Sequence, residues 1–432
     1  MCKIPSRTEA EDIDTTPERV AARRTADGVH VARVRVVRVA LALAWLAGLV
    51  AITLTPGGGR MARILSVCLI CGPRGSADAL LNVILFLPLG LLIGLRRGPA
   101  LALLVGVGLS AGVETWQLLL TGRYSNVGDV VWNGLGAGLG AAATPHLRDW
   151  LLDGSRPLGR VLAVALPATW LLAAGLLLSP IAGDRPYSVD HLASASALQG
   201  FTDWQAAGSL ARSASTGEDP TVAGARLDLE PGGGWTLAAR ATRAPLSREL
   251  LPIVGAYDTK ATPIRVLGAD REDLVLWEST WAPVMHFDYA SHHLYGALVD
   301  HQVGDTFTVS ASSTGGDQVC LTAASRQSCG PRIAPARTWT LLRSHEHASE
   351  ATKRRIDIAW MATLTLWIGL LGGSARSTLV TAGAFVALVA AAAWLFTPLS
   401  ELGRAGLLGL TLGVGLGVAS RPVARLFLDR SP

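Results

Sequence analysis

A glutamate inside an apolar segment is the residue of this chain whose type and position best suit chemistry. Glu114 shares one helical stripe with Ser110 and Gln117, because spacings of four and three residues bring side chains to the same face of a helix. Ionisable groups within a membrane are costly, so they face a bundle interior or a cavity and are candidates for function. A carboxylate in such a place can act as a general base or hold a polar ligand.

Two more polar stripes lie on the segments before and after Glu114. Asp78 and Asn82 share a face of one predicted helix, and Asp129 and Asn133 share a face of another. The predicted topology brings all three stripes to one end of three neighbouring helices. We call this region the polar zone, and its candidate residues are Asn82, Glu114, Gln117, Arg123, Asp129 and Asn133.

The sequence leaves two interpretations of the polar zone open. In the first, the zone is a ligand or catalytic site, in which Glu114 or Asp129 acts as general base and Arg123 stabilises developing negative charge. In the second, the zone is a hydrogen-bonded network that locks three helices together, with Arg123 neutralising a neighbouring carboxylate.

The composition places these residues in a membrane protein. Half of the 432 residues are hydrophobic, 16% are charged, and the mean hydropathy is +0.37. The net charge of +5 comes largely from a basic tail and short loops, which excludes nucleic acid as the expected partner and makes the lipid bilayer the expected one. Runs of about 17 to 25 residues, enough to cross roughly 30 Å of hydrocarbon, predict eight membrane-spanning helices. They cover residues 39–55, 79–95, 100–120, 127–144, 161–179, 356–373, 378–396 and 406–420.

The basic residues beside these runs predict the orientation, since Lys and Arg concentrate in short cytoplasmic loops. A cytoplasmic N-terminus places most flanking arginines inside, including Arg96 and Arg97, and makes both termini cytoplasmic. The basic cluster 353–355 falls on the outer side instead. It follows a long translocated segment, and such segments cross largely regardless of charge.

Residues 181–355 have a different character, with short alternating apolar and polar stretches separated by Gly, Pro, Ser and Asp. Predicted strands cover residues 226–229, 235–242, 253–257, 264–267, 273–277, 306–311, 318–323 and 338–342. The fold class is therefore a multi-pass α-helical membrane protein with an inserted all-β sandwich (jelly roll) extracytoplasmic domain. Its parts are a cytoplasmic tail (1–38), a helical module of about five spans (39–180), the sandwich (181–355), a second module of about three spans (356–420) and a cytoplasmic tail (421–432).

The cysteines agree with an outer compartment for the inserted domain. Cys320 and Cys329 lie nine positions apart around a predicted turn, where oxidising conditions permit a disulfide. Cys68 and Cys71 form a lone CxxC, which lacks the further ligands of a zinc site. For that pair, a local disulfide and two packed thiols both remain open.

The sequence around the polar zone resembles the VanZ-like membrane proteins. The resemblance is carried by the segments 82–90 (NVILFLPLG), 114–117 (ETWQ) and 123–133 (RYSNVGDVVWN), and it covers roughly residues 40–145. Asn126 stands where the family often has an acidic residue, which weakens a metal or proton role there. The family takes its name from an accessory factor in teicoplanin resistance, so the resemblance implies a cell-envelope function linked to glycopeptide tolerance without naming a reaction.

The inserted domain resembles laminin-G and concanavalin-like jelly rolls, a fold often used to bind carbohydrate. The resemblance lies in the segments 235–240, 253–258, 273–277 and 304–309, which are mostly core and turn residues. Trp277 and Trp281 are candidates for stacking on sugar rings, although aromatic residues at strand spacing are more often core. No cofactor or metal is expected, because the spacing of His286, Asp288, His292 and His293 matches no standard site and favours a solvated loop.

Two functions are consistent with these features. In one, the sandwich binds an envelope glycan or peptide, and the polar zone holds a lipid-linked or anionic group near the outer leaflet. In the other, the protein is a membrane enzyme that acts on a lipid-linked or envelope substrate with Glu114, Asp129 and Arg123. A transporter ranks last, because neither half of the chain repeats the broken-helix pattern of the other.

Overall fold

The computed structural model has a helix at each of the eight predicted membrane spans and antiparallel sheets between the fifth span and the sixth. It describes residues 17–54, 65–72, 74–121, 125–152, 157–179, 181, 226–229, 235–242, 251–257, 263–270, 272–288, 291–302, 304–313, 318–331, 334–343, 350–395 and 402–428. The helices are α1 (Pro17–Thr53), α2 (Gly75–Gly94), α3 (Pro99–Gln117), α4 (Val127–Leu152), α5 (Pro157–Leu178), α6 (Trp281–Val284), α7 (Glu350–Leu371), α8 (Ala375–Leu395) and α9 (Gly403–Leu428), with a 3-10 helix at Pro335–Leu341.

Within this described part of the chain, six helices are long and apolar enough to cross a membrane, namely α1, α2, α3, α5, α8 and α9. The chain is therefore a multi-pass membrane protein. Helices also cover the other two predicted spans, but both are more polar. Asp129 and Asn133 lie in α4, and Asp357 follows a basic cluster in α7. These helices pack between others, α4 against α2 and α3 and α7 against α9, so less of their surface has to be apolar.

Small residues let the helices of each pair approach until their backbones touch. A Cβ atom added to Gly136 of α4 would lie 2.3 Å from the Val83 carbonyl oxygen of α2, and one added to Gly140 would lie 2.2 Å from that of Leu87. A Cβ atom added to Gly413 of α9 would lie 2.3 Å from the Ala362 carbonyl oxygen of α7. In both helical modules, glycines four residues apart therefore allow two helices to pack closely.

The strands form two antiparallel sheets around one hydrophobic core. After a short parallel pair formed by β1 (Leu65–Ser66) and β2 (Ser125–Asn126), the remaining strands are β3 (Arg226–Leu229), β4 (Trp235–Thr242), β5 (Leu251–Tyr257), β6 (Pro263–Asp270), β7 (Asp273–Glu278), β8 (Ser291–Leu294), β9 (Thr306–Ser313), β10 (Gln318–Ala323) and β11 (Arg326–Pro331). The five-stranded sheet has the order β11-β10-β9-β4-β3, and the four-stranded sheet has the order β5-β6-β7-β8. Alternate residues of β9, beginning with Phe307, are buried, which is the period of a strand with one face on the core.

Seven of the eight predicted strands are present, and the eighth is wrong. Residues 338–342 alternate like a strand, but they belong to the 3-10 helix that begins at Pro335, because Trp339 and Leu341 are buried. Strands β8 and β11 lie outside the predicted strands. His292 and His293, interpreted as a solvated loop, lie in β8, where they are half-buried.

The 3-10 helix joins the sheets to the membrane helices through side chains that donate to shared acceptors. The indole nitrogens of Trp170 and Trp360 donate to the Thr338 hydroxyl oxygen at 3.0 and 3.1 Å. The Asp357 carboxylate accepts the Trp339 indole N–H at 2.8 Å and pairs with the Arg337 guanidinium at 3.0 Å. Polar contacts, and not only apolar packing, therefore hold the 3-10 helix that follows β11 against α5 and α7.

One residue of the basic cluster 353–355, Lys353, also contacts the sheet region. Lys353 is buried, its ammonium nitrogen donates a hydrogen bond to the Tyr295 hydroxyl, and it lies 4.4 Å from the centre of the Tyr295 ring. Tyr295 in turn stacks on His293 of β8. At least one charge of the cluster therefore serves the contact with the sheets rather than the orientation in the bilayer.

Candidate functional site

The polar zone lies where α3 ends and α2 and α4 begin, which is the end of the membrane module that contacts the sheets. Gln117 donates to the Thr53 carbonyl oxygen at 3.0 Å, and this bond ties the end of α3 to the end of α1. The pairing of β1 with β2 brings residues 65–72 across the start of α4. There the Trp132 indole N–H donates to the Leu69 carbonyl oxygen at 2.8 Å. All described candidate residues thus lie at one end of three helices.

Glu114 is the most enclosed acid of the polar zone, with 7% of its surface exposed. Its carboxylate accepts the backbone N–H of Asn126 at 2.8 Å. A buried acceptor that holds a backbone donor fixes the local chain, and here it positions the segment that leads into α4. Arg123, the expected partner of Glu114, lies outside the described residues.

Asn126, which stands where the family often has an acidic residue, caps the start of α4. Its side-chain oxygen accepts the backbone N–H of Gly128 at 3.1 Å, which is the bond of a residue that caps the start of a helix. The signal was present in the sequence, because Asn immediately before an apolar helical segment is a common helix start.

Asp129 lies at the centre of the polar zone and is half-buried. The side-chain amide of Asn126 donates to its carboxylate at 3.5 Å, and Asn82 also forms a hydrogen bond with it. The charges of Glu114 and Asp78 act on it as well. The structure therefore brings Asn82, Glu114 and Asp129 together, and it adds Asp78, which is exposed, and Asn126 to the set.

Asn133 lies one helical turn deeper than Asp129. It is 5% exposed, and its side-chain nitrogen donates to the Ser110 hydroxyl at 2.8 Å, which joins α4 to α3. Among the residues that the structure describes, nothing donates to its side-chain oxygen. A buried acceptor of this kind is suited to a water molecule or a ligand hydroxyl.

The sheets close over the start of α2 next to the polar zone. The backbone nitrogens of Ser76 and Ala77 donate to the His286 carbonyl oxygen at 3.1 and 3.3 Å, so the loop after α6 satisfies donors that the first turn of a helix leaves free. The Arg74 guanidinium lies 3.5 Å from the Asp288 carboxylate. His286 itself adopts a φ of 56°, a left-handed conformation that is uncommon for residues other than glycine.

The described charges make the polar zone rich in hydrogen-bond acceptors. The Asp129 carboxylate lies close enough to those of Asp78 and Glu114 to interact with their charges, and the guanidinium groups of Arg74 and Arg343 interact with Asp78. In that same part, no group of three or more His, Cys, Asp or Glu side chains is arranged to hold a metal ion. Such a zone suits a ligand that brings donors, such as sugar hydroxyls, amides or an ammonium group.

The two aromatic candidates for glycan stacking lie in different surroundings. Trp277 is a half-buried residue of β7, whereas Trp281 is 46% exposed and begins α6. The backbone nitrogen of Trp281 donates to the Ser179 carbonyl oxygen at 3.3 Å, which places it beside the end of α5. That position favours contact with the membrane interface over contact with a glycan.

Both cysteine pairs are joined in the structure. Cys320 and Cys329 are directly opposite each other on β10 and β11, with an S–S distance of 2.06 Å. Cys68 and Cys71 are linked within the segment that crosses the start of α4.

The fold and the polar zone define a multi-pass membrane protein with a separate region of antiparallel sheets. Its first four helices contain a VanZ-like region, since the family model described as VanZ/LLP1 matches residues 36–148. The matched region is about a quarter of the chain and includes all of the polar zone. The resemblance to the VanZ-like proteins is thereby confirmed for that region. The match ends within α4, so it does not include α5. Comparisons with curated proteins and with solved structures found no match.

Proposed function

We propose that this VanZ-like protein of the cell envelope binds a lipid-linked envelope ligand, with the polar zone holding the ligand's hydrogen-bond donors. The proposal rests mainly on one observation, that the polar side chains of the zone differ in how far they are exposed. Glu114 is buried, Asn82, Asn126 and Asp129 are half-buried, and Asp78 is exposed. The buried acceptors are therefore held in place by the helices, and the more exposed ones are accessible from the end of the helices. The polar part of a lipid-linked molecule lies at that end.

The proposed orientation puts the polar zone and the sheets on the extracytoplasmic side. It is supported by the opposite end of the helices, where Arg38 donates to the Phe427 carbonyl oxygen at 3.0 Å and Arg421 donates to that of Gly369 at 2.9 Å. Arg96 and Arg97 follow α2 at that end. A basic end is the cytoplasmic end under the positive-inside rule, so both termini are cytoplasmic in this proposal.

The sheets are proposed to be a jelly-roll domain that recognises the glycan or peptide part of the same ligand. Two antiparallel sheets with one core support the architecture. The contact of His286 with the start of α2 supports the common ligand, because it brings the sheets next to the polar zone. The exposed faces near Trp277 are the proposed contact surface.

Binding is favoured over catalysis by the state of Glu114. A general base has to reach the proton that it removes, whereas the Glu114 carboxylate is enclosed and already accepts the Asn126 N–H. In this proposal Glu114 positions the segment before α4, and Asp129 contacts the ligand. Glycopeptide tolerance is the expected cellular consequence, because glycopeptides bind envelope precursors.

The test uses Asp129→Asn, which keeps the shape of the side chain and removes its charge. Asp149→Asn is the matched control, since it makes the same change on the same helix at the opposite end. The full chain would be purified from membranes in mild detergent, and bound lipid-linked glycans would be identified by mass spectrometry. We expect Asp129→Asn to retain at least about tenfold less ligand, the equivalent of roughly 1.4 kcal/mol, with unchanged melting temperature.

Teicoplanin susceptibility of cells that express each variant provides the second measurement. The proposal predicts that cells with Asp129→Asn lose tolerance and cells with Asp149→Asn keep it, at equal protein abundance. Equal ligand retention by the wild type and both variants would contradict the proposal.

A further inference from the structure

A pocket at the opposite end of the membrane module combines arginines with an apolar wall. It lies between α1 and the end of α2 and has a volume of about 460 Å³, within the range of small-molecule sites. It is lined by Val31, Val34, Arg35, Arg38, Val39, Ala42, Leu92, Leu95 and Arg96. The polar zone lies at the other end of the same helices, so this pocket does not depend on the proposed function.

The depth of the pocket follows from helix geometry. Thr53 marks the sheet-side end of α1, because its carbonyl oxygen accepts the Gln117 side chain. At 1.5 Å per residue, Arg38 lies about 22 Å from Thr53 along the helix and Arg35 about 27 Å. Arg96 lies about 30 Å beyond Gly75, the first residue of α2. Since the hydrocarbon core is roughly 30 Å thick, Arg35 and Arg96 lie near the level of the lipid headgroups, and Arg38 lies about one helical turn deeper.

The chemistry of the pocket selects an anionic amphiphile. Three of the nine lining residues are arginines and the other six are apolar, so none of the lining residues is acidic. Arg38 is held in place by its hydrogen bond to the Phe427 carbonyl oxygen, while Arg35 and Arg96 are exposed. Guanidinium groups bind phosphate oxygens through paired N–H donors. The valines and leucines below them offer a surface for an acyl chain.

We propose that this pocket binds the phosphate of an anionic phospholipid, with Arg35 and Arg96 contacting the headgroup and one acyl chain lying against Val39 and Ala42. The exposure of α1 supports a lipid as occupant. Along α1, large side chains such as Val36, Val39 and Leu43 are 66%, 51% and 60% exposed. A lipid in the pocket would contact both α1 and the end of α2. The phosphate chemistry is shared with free phosphate, and the experiment distinguishes the two sources.

The experiment compares the full chain with Arg35→Gln/Arg96→Gln. Each protein would be purified in detergent and titrated with phosphatidylglycerol, with phosphatidylcholine of the same acyl chains, and with inorganic phosphate. Bound lipid would be counted by native mass spectrometry. We expect phosphatidylglycerol to bind the wild type in preference to phosphatidylcholine. The double variant should bind it at least about tenfold more weakly, because it loses both guanidinium contacts to the phosphate.

Two further variants keep the result specific to the pocket. Arg33→Gln/Arg97→Gln removes two exposed arginines that are close in sequence to Arg35 and Arg96 but do not line the pocket. This variant should bind phosphatidylglycerol as the wild type does. Ala42→Phe retains every charge and fills the proposed acyl-chain surface, so it should weaken lipid binding as well. Equal losses in the two arginine double variants would overturn the proposal, as would inorganic phosphate binding that competes fully with the lipid.

Discussion

The carbonyl oxygen of His286 lies 3.1 Å from the backbone nitrogen of Ser76 and accepts its hydrogen. One residue of the sheet region therefore caps the membrane helix that carries Asn82. The contacts of Thr338 and Asp357 add a second point of attachment, through the 3-10 helix that follows β11. A ligand held by the sheets would lie close to the polar zone, as the proposed function requires.

Topology is the first prediction. Glu272 is an exposed residue of the sheet region, and Arg97 is exposed at the opposite end of the helices. In a Cys2→Ser background, a membrane-impermeant maleimide should label Glu272→Cys in intact cells and should label Arg97→Cys only after the cells are opened. The reverse pattern would place the sheets in the cytoplasm.

Close packing of α2 and α4 gives the second prediction. Gly136→Ala puts a methyl group 2.3 Å from a backbone oxygen, so it should destabilise the protein by about 1–3 kcal/mol. Gly108→Ala is the matched control, because nothing lies within 4 Å of its added Cβ and alanine favours a helix by up to roughly 1 kcal/mol. Thermal unfolding in detergent should therefore separate the two. A Gly136→Ala protein as stable as the Gly108→Ala protein would show that the helices are further apart.

The role of Glu114 as an acceptor gives the third prediction. Glu114→Gln retains an oxygen for the Asn126 N–H, and its stability should stay within about 1 kcal/mol of the wild type. Glu114→Leu leaves that donor without its acceptor and should cost roughly 1–3 kcal/mol. The two melting temperatures would be compared with that of the wild type. If Glu114→Gln melts as early as Glu114→Leu, the carboxylate charge itself is needed for folding, as in the network interpretation with Arg123.

Lys353 provides the fourth prediction. Lys353→Met keeps most of the apolar stem but removes the hydrogen bond to Tyr295 and the charge above its ring. The expected loss is about 1–3 kcal/mol. The neighbouring Arg354 is exposed, so Arg354→Met should change stability by no more than about 0.5 kcal/mol. Equal effects of the two substitutions on the melting temperature would show that Lys353 does not contact the sheets.

Much of the fold follows from the sequence because its signals are local. Apolar runs predict the helices, and alternation predicts strands such as β4 and β10 with their observed bounds. Residues 338–342 show where this fails. Their alternation is that of a strand, but burial of Trp339 against α7 and its bond to Asp357 determine the conformation, and neither is visible in a short window.

Some residues of the polar zone could be identified from the sequence, but their hydrogen bonds could not. Stripes on α2, α3 and α4 identify Asn82, Glu114 and Asp129, since helical spacing fixes which side chains share a face. The bond from Asn126 to Glu114 depends on the pairing of β1 with β2, which joins residues about sixty positions apart. The contact of His286 with α2 depends likewise on how two regions meet, and no local pattern encodes it.

The glycines at the α2 and α4 contact restrict how the molecule can change shape. Where carbonyl oxygens of one helix press against the Cα atoms of another, no flexible side chain lies between them to give way. The two helices are therefore expected to move as one rigid unit, and a ligand is not expected to enter between them. Under the proposed function, we therefore expect the ligand to enter past the loop around His286, which belongs to the sheet region.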